Sequence, residues 1–161
     1  MANIYALLKE NKISYKKISH PPLYTVEDTK LISDKIEGVV CKNLFLKDEV
    51  NRFYLITMDS SKKLDFKALE EAISVHKLHF ASEKELWGTL NLTPGSVSPL
   101  GLLNKPKVGC QWLVEDVLLD KKIVVHSKRN VESVELFFSD LAYLLSKYNR
   151  LYKEYTYTRL K

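Results

Sequence analysis

Three features of the sequence could carry chemistry: a lysine inside an apolar strand, a histidine at the end of another strand, and a loop rich in proline and glycine. Lys42 lies in "VVCKNLFLK" (39–47), and His126 ends "KIVVH" (122–126). The stretch "TPGSVSPLG" (93–101) cannot form a helix interior and is a poor central strand. It is either a plain connector or a shaped loop that brings backbone amides to a ligand.

The two side chains each have a structural and a functional interpretation. In a strand, Lys42 shares a face with Leu44 and Leu46. Either this face opens onto a pocket, or the lysine stem follows apolar surface to the sheet edge. The pattern alone favours the second interpretation. Sites on α/β sheets commonly lie at strand ends, where His126 stands, but a single histidine is more often a structural hydrogen-bonding residue.

Recognised nucleophile and metal motifs are absent from the sequence. There is no G-x-S-x-G elbow, no H-E-x-x-H and no P-loop. Cys41 and Cys110 form no CxxC pair, so neither a zinc site nor a disulfide framework is expected, and Cys41 is interpreted as a small core residue. His20, before two prolines, is expected to fix its loop. An enzyme with this sequence would therefore depend on positioning, backbone donors and water.

The remaining sequence predicts a single α/β (α+β) domain of alternating elements. Thr25, Asp65 and Ser82 are predicted N-caps, and Glu85 completes a capping box with Ser82. The polar "DEVN" (48–51) predicts a hairpin. Helices are predicted for 2–11, 26–37, 66–75, 83–90 and 139–149, and strands for 13–19, 39–47, 52–58, 108–114, 122–126 and 133–138. Residues 1–149 form the predicted domain, and 150–161, without a clear pattern, form a tail that is disordered or lies along a partner.

Composition limits the class of protein and its partners. With 161 residues, 45% hydrophobic and 28% charged, the chain is long enough for one domain with a buried core. The net charge of +5 favours a polyanion such as RNA, and a solvated basic surface is the alternative. No apolar run approaches the roughly 18 residues that span a bilayer, and the first residues lack signal-peptide features. We expect a cytoplasmic protein with no membrane partner.

Four segments, in order along the chain, resemble the YbaK/prolyl-tRNA synthetase editing-domain family. They are "HPPLYTVEDT" (20–29), "CKNLFLKD" (41–48), "TPGSVSPLGLLN" (93–104) and "VVHSKRNVES" (124–133). The chain looks most like the free-standing members that deacylate alanyl-tRNA(Pro). The resemblance implies a mixed, partly barrel-like sheet surrounded by helices. It also implies a hydrolase, without cofactor or metal, that cleaves the ester of mischarged Ala-tRNA(Pro).

The resemblance also implies the residues of the site. The implied catalytic residues are Lys42, Gly95 and His126, and the implied substrate-binding residues are Thr25, Asn43, Ser96, Val97, Ser98, Pro99 and Asn130. Amides of residues 95–99 are expected to hold the terminal adenosine or the developing oxyanion. Lys42 would pair with a phosphate or ribose oxygen, and His126 would border the amino-acid pocket. Ser127 stands where the family usually has proline, which leaves the rigidity of that turn open.

Partners and specificity follow from the same resemblance. The implied partner is the acceptor end of tRNA(Pro), and recruitment by prolyl-tRNA synthetase remains open. A pocket for another small amino acid, serine or cysteine, is one alternative function. A non-catalytic tRNA-binding or regulatory module with the same fold is the other.

Overall fold

The fold is seen in a computed structural model that describes residues 3–23, 25, 27–104, 109–128, 130–155 and 158–160. Its α-helices are α1 (Ile4–Glu10), α2 (Phe66–Ile73), α3 (Glu83–Leu90) and α4 (Phe138–Ser146). Its strands are β1 (Lys16–Ser19), β2 (Val39–Lys47), β3 (Phe53–Asp59), β4 (Lys62–Leu64), β5 (His79–Phe80), β6 (Cys110–Glu115), β7 (Lys122–Lys128), β8 (Glu132–Phe137), β9 (Tyr152–Tyr155) and β10 (Thr158–Leu160). The first residues of the predicted helix 2–11 and strand 108–114 lie outside the described residues.

One mixed sheet organises the molecule. Its strands follow the order β1-β8-β7-β2-β3-β6-β9, β5 joins the same sheet beside β2, and β4 pairs separately with β10. The pairs β2–β7, β3–β6 and β6–β9 are parallel, whereas β1–β8, β7–β8, β2–β3 and β2–β5 are antiparallel. The predicted single α+β domain with a mixed sheet is therefore confirmed, as is the hairpin that joins β2 to β3.

Apolar side chains cover both faces of the central strands. Along β3, Leu55 packs into a cluster with residues of α1, α3 and α4, whereas Ile56 packs into a second cluster with Leu69 of α2. This alternation follows from the two-residue period of a strand, and it explains why the sequence of β3 is a continuous apolar run. None of the helices among the described residues is long and apolar enough to cross a bilayer.

Capping side chains mark the helix starts where the sequence predicts them. The Asp65 carboxylate accepts a hydrogen bond from the Ala68 amide at 3.1 Å, and Ser82 and Glu85 form a reciprocal capping box.

The predicted α-helix after Thr25 is wrong in type, because residues Glu27–Leu31 and Ser33–Lys35 form two 3₁₀ helices. Ile32 between them has a φ of −119° and is fully buried, so its insertion into the core interrupts a regular helix.

The C-terminal segment extends the sheet. The sequence pattern predicts no element beyond residue 149, yet Tyr152–Tyr155 pair in parallel with β6, and Thr158–Leu160 pair with β4. Disorder is thus wrong for these two stretches. Within β9 only Tyr155 is buried, so its short, mostly polar sequence carries no periodic signal. The domain boundary after residue 149 stays a prediction.

Gly38, immediately before β2, provides a test of how closely β2 and β7 approach. A Cβ at this position would lie 2.4 Å from the carbonyl oxygen of Lys122. We expect Gly38→Ala to lower the free energy of unfolding by about 1–3 kcal/mol, because backbone must shift to relieve the overlap. Urea denaturation measures the change.

The matched control is Gly88→Ala on α3, where an added Cβ meets nothing within 4 Å. Because alanine has a higher helix propensity than glycine, the free energy of unfolding of this variant should rise by about 0.5–1 kcal/mol. Equal stability of the two variants would contradict the close approach at Gly38.

Candidate functional site

A cavity of about 500 Å³ lies between β2, the end of β7 and the proline/glycine loop. On this side of β2, pairing with β7 involves only Val39 and Val40, and pairing with β5 begins at Leu46. The strand between these pairings faces the open space. The lining comprises Leu23, Thr25, Thr29, Val40, Cys41, Lys42, Asn43, Ser60, Pro94, Gly95, Val97, Val124, His126, Asn130 and Ser133.

Most of the predicted site residues meet at this cavity. Those on its wall are Thr25, Lys42, Asn43, Gly95, Val97, His126 and Asn130. They come from segments that are far apart in sequence, including the loop whose role the sequence left open. Gly95 and Lys42 line the same space, so the loop forms part of the cavity wall.

Lys42 combines both interpretations of its position on β2. Its stem shares a strand face with Leu44 and Leu46, which belong to the second apolar cluster. Its Nζ donates a hydrogen bond to the main-chain carbonyl of Lys62 on β4. The side chain is half-buried, and Lys42 lines the cavity.

Asn43 is oriented by a chain of buried hydrogen bonds. The indole Nε1 of Trp112 donates to Thr57 Oγ1 at 2.9 Å, and the Thr57 hydroxyl donates to Asn43 Oδ1 at 2.6 Å. Indole nitrogen can only donate and an amide oxygen can only accept, so the direction of both bonds is determined. Among the described residues, the Asn43 Nδ2 has no hydrogen-bond partner. Asn43 therefore brings an amide donor to the cavity.

His126 lies at the end of a second directed chain. His20 Nδ1 is 2.8 Å from the Pro21 carbonyl, to which it must donate, so a neutral His20 accepts from the Ser133 hydroxyl through Nε2 at 2.8 Å. Ser133 Oγ is also 3.4 Å from His126 Nδ1. The backbone of Glu132 also hydrogen-bonds to the His126 ring. His20 fixes its loop as expected, and it also orients the site histidine.

Burial determines the protonation of His126. Burial first, and the neighbouring His20 second, lower the pKa of His126 to about 4. The ring is therefore neutral at physiological pH. A base this weak is poorly matched to proton abstraction near pH 7. His126 can serve as a hydrogen-bond acceptor and as a wall of the pocket.

The loop presents some predicted residues to the cavity and buries others. Pro94, Gly95 and Val97 line the cavity. The remaining predicted loop residues, Ser96, Ser98 and Pro99, are buried and do not line it.

Hydrogen bonds of the two buried serines account for the shape of the loop. Ser96 Oγ donates to the Thr93 carbonyl at 3.1 Å, and Ser98 Oγ accepts from the Leu100 amide at 3.2 Å. Among the described residues, the Gly95 amide has no hydrogen-bond partner, and Gly95 lines the cavity.

Asn130 and Thr25 hold the opposite wall. Asn130 Oδ1 accepts from the Leu23 amide at 3.0 Å, and its Nδ2 donates to the Leu23 carbonyl at 2.7 Å. Thr25 Oγ1 accepts from the Asp28 amide at 3.2 Å, so the predicted cap is present. Both side chains line the cavity, but these bonds show that they also shape the segment around Leu23.

The turn after His126 is held without proline. Ser127 is buried, and its Oγ donates to Glu132 Oε1 at 3.0 Å. The Tyr5 hydroxyl of α1 donates to the same oxygen at 2.5 Å. This cluster connects α1 to β7 and β8, so a serine at the usual proline position leaves the turn well restrained.

Sequence reasoning missed several lining residues. They are Leu23, Thr29, Val40, Cys41, Ser60, Pro94, Val124 and Ser133. Cys41 is buried as expected, and burial raises the pKa of its thiol, so it is not a thiolate nucleophile. Val40 and Val124 come together only through the parallel register of β2 and β7, which no local pattern reveals.

A serine–histidine contact also lies beside the cavity. The Ser133–His20 contact has the length of a nucleophile–base pair, but Ser133 is only 2% exposed. Among the described residues, no three His, Cys, Asp or Glu side chains are grouped to hold a metal ion. The arrangement is thus best suited to binding and polarising a substrate through neutral donors and one lysine.

The low pKa of His126 predicts a pH-dependent stability. Between about pH 6.5 and 4, the unfolded chain binds a proton at His126 that the folded chain does not, so stability falls as the pH falls. The loss should be about 1–3 kcal/mol at pH 4, and it should be absent in His126→Asn. Urea denaturation of both proteins from pH 7 to 4 measures it, and an NMR titration gives the midpoint. Parallel stability profiles, or a midpoint near 6.5, would contradict the buried neutral ring.

Comparison with known proteins identifies the family. Residues 20–144 match the model of the aminoacyl-tRNA editing domain. The chain is 36% identical over 152 residues to the prolyl-tRNA editing protein ProX of Acetoanaerobium sticklandii, and the alignment covers 93% of each protein. It is 35% identical over 95 residues to the prolyl-tRNA synthetase associated domain-containing protein 1 of Danio rerio, covering 59% of this chain and 52% of the zebrafish protein.

Solved structures show the same fold at low sequence identity. A crystal structure of a candidate trans-editing enzyme for prolyl tRNA synthetase superposes with a TM-score of 0.72 at 14% identity, covering 98% of this chain and 95% of the other. At that identity the likeness concerns the fold. The family match and the ProX relative go further, and this chain belongs to the aminoacyl-tRNA editing domain family.

Proposed function

We propose that this protein hydrolyses the ester that joins alanine to tRNA(Pro), acting on the mischarged tRNA in trans. The observation that carries the proposal is the cavity whose wall includes Lys42, Asn43 and Gly95. Its volume of about 500 Å³ lies within the range of small-ligand sites. The ProX relative, itself a prolyl-tRNA editing protein, supports the same substrate.

An ester bond suits the groups that the cavity offers. Aminoacyl esters are activated, so a bound water can attack the carbonyl carbon if the developing oxyanion is stabilised. Preorganised donors that aim at this charge commonly supply the largest share of such catalysis. We assign this role to the Gly95 amide, with the Asn43 Nδ2 as a second donor. The burial of Ser133 disfavours a covalent intermediate on its hydroxyl.

Lys42 and His126 have different roles in this proposal. The ammonium group of Lys42 pairs with a phosphate or ribose oxygen of the terminal adenosine and so places the ester beside the loop. The neutral His126 ring, oriented by Ser133, borders the space for the amino-acid side chain. Asn130 and Thr25 hold the segment that closes the other side, and the buried Ser96, Ser98 and Pro99 hold the loop in shape.

Steric exclusion explains why such an enzyme would spare the correct product. A synthetase pocket built for proline discriminates against a smaller side chain by only about 1–3 kcal/mol per methylene, so alanine is admitted. A second pocket that is too small for proline accepts alanine alone. Val40, Val97, Val124 and His126 all line this cavity, and we assign the exclusion of proline to them.

A panel of aminoacylated tRNAs tests the function directly. Purified protein is incubated with Ala-tRNA(Pro), Ser-tRNA(Pro), Cys-tRNA(Pro) and Pro-tRNA(Pro), and hydrolysis of the ester is followed. We expect rapid release of alanine and retention of proline, because the proposed side-chain space beside His126 excludes the larger proline ring. Preferred cleavage of serine or cysteine would assign a different specificity within the family. No cleavage of any substrate would indicate a non-catalytic tRNA-binding protein.

Substitution of Lys42 tests its place in the site. Lys42→Ala should lower kcat/KM for Ala-tRNA(Pro) by about 10- to 100-fold, since a hydrogen bond to a charged group contributes roughly 1.5–3 kcal/mol. The fold should remain, as circular dichroism and thermal unfolding can verify. Lys84→Ala, an exposed lysine on α3, is the matched control and should retain full activity. Unchanged turnover of Lys42→Ala would remove this lysine from the site.

A further inference from the structure

A groove of about 640 Å³ adjoins the cavity and shares Lys42 with it. It runs between β2, β4, the start of α2 and β5. Its lining comprises Lys42, Leu44, Lys63, Leu64, Asp65, Phe66, Lys67 and Phe80. Because Lys42 lies on both walls, a ligand that ends in the cavity can continue into the groove without leaving the protein surface.

The groove is basic. Lys63 and Lys67 are exposed, and neither forms an ion pair with any other described residue. Asp65 is the acidic residue of the lining, and its Oδ1 accepts the Ala68 amide as the cap of α2. The charge of the walls therefore suits a polyanion.

An exposed aromatic ring lies in the same groove. Phe80 is 58% exposed although it lies on β5 beside the apolar Leu46 of β2. The Phe66 ring contacts it in an edge arrangement, with ring centroids 5.9 Å apart and planes at 66°. This contact restrains the Phe80 ring while much of its surface remains open. Removing such an apolar surface from water is favourable. In a cationic groove, a nucleobase is the planar group that stacks on it.

We infer that this groove binds the unpaired nucleotides that precede the terminal adenosine of the substrate RNA. The inference rests on the proposed function, which places that adenosine in the cavity. A base stacks on Phe80, and Lys63 and Lys67 contact the phosphates that lead to it. Aromatic platforms flanked by lysines are the general means by which proteins hold single-stranded nucleic acid. Continuity through Lys42 sets the direction of the strand, with its 3′ end in the cavity.

Two substrates of different length separate the groove from the cavity. Hydrolysis of Ala-tRNA(Pro) and of 3′-alanyl-adenosine is measured for the wild type, for Phe80→Ala and for Lys63→Ala/Lys67→Ala. Trp87→Ala and Lys84→Ala, which remove an exposed aromatic residue and an exposed lysine of α3, are the matched controls. Independently of turnover, fluorescence anisotropy measures the binding of a labelled CCA trinucleotide to each protein.

The expected effects are specific to the longer ligands. Phe80→Ala should lower kcat/KM for the tRNA by roughly 5- to 150-fold, the equivalent of about 1–3 kcal/mol for one stacked base. In the double lysine variant, the slope of log kcat/KM against log salt concentration should become shallower by about 0.7 for each phosphate that is no longer neutralised. Both should weaken binding of the trinucleotide, and both should hydrolyse 3′-alanyl-adenosine at the wild-type rate.

The possible failures are distinguishable. If the wild type cleaves neither substrate, the proposed function fails. If it cleaves the tRNA and the groove variants match the controls in turnover, salt dependence and trinucleotide binding, the groove inference is overturned while the function stands. The groove would then be assigned to a protein ligand in place of RNA. An equal decrease on both substrates would also overturn it, because the variants would then act on the cavity.

Discussion

The site depends on the separation of two parallel strands after a very short pairing. β2 and β7 are joined only at Val39–Ile123 and Val40–Val124, and β2 next gains a partner on that side at Leu46. At the start of this pairing, Gly38 lies so close to the Lys122 backbone that a Cβ at this position would overlap with it. Beyond this junction the strands diverge, and the cavity occupies the gap. Crevices at such points are the usual binding sites of α/β sheets, because side chains from both strand ends face one space.

Buried hydrogen-bond networks determine what the gap can do. Glu115 is 1% exposed, accepts the Asp59 amide at 3.0 Å, and pairs with Lys62 Nζ at 2.7 Å. The Lys62 carbonyl in turn accepts Lys42 Nζ, so a buried ion pair supports the lysine of the cavity. A buried pair gains little net stability, but it restrains the groups around it when every polar atom is satisfied. The Trp112–Thr57–Asn43 chain restrains a neutral donor in the same way.

The electrostatic character of the cavity agrees with an enzyme that uses water. Burial keeps His126 neutral and keeps the Cys41 thiol protonated, so neither is a strong base or nucleophile near pH 7. What remains are oriented donors and one ammonium group, which stabilise negative charge without forming covalent bonds. Such a site can hydrolyse an activated ester while leaving amide bonds intact.

Local sequence by itself determined β2, whose predicted range 39–47 matches Val39–Lys47, and the capped starts of α2 and α3. The resemblance of four short continuous segments to the editing-domain family also implied Lys42, Gly95 and His126 as candidates. Only the tertiary structure decided that β9 joins β6, and that Ser96 and Ser98 turn inward while Gly95 faces the cavity. The same holds for the protonation of His126, which follows from burial and from His20, more than a hundred residues away in sequence. Caps and strand periodicity act over a few residues and are visible in the sequence, whereas burial and strand pairing depend on residues that only folding brings into contact.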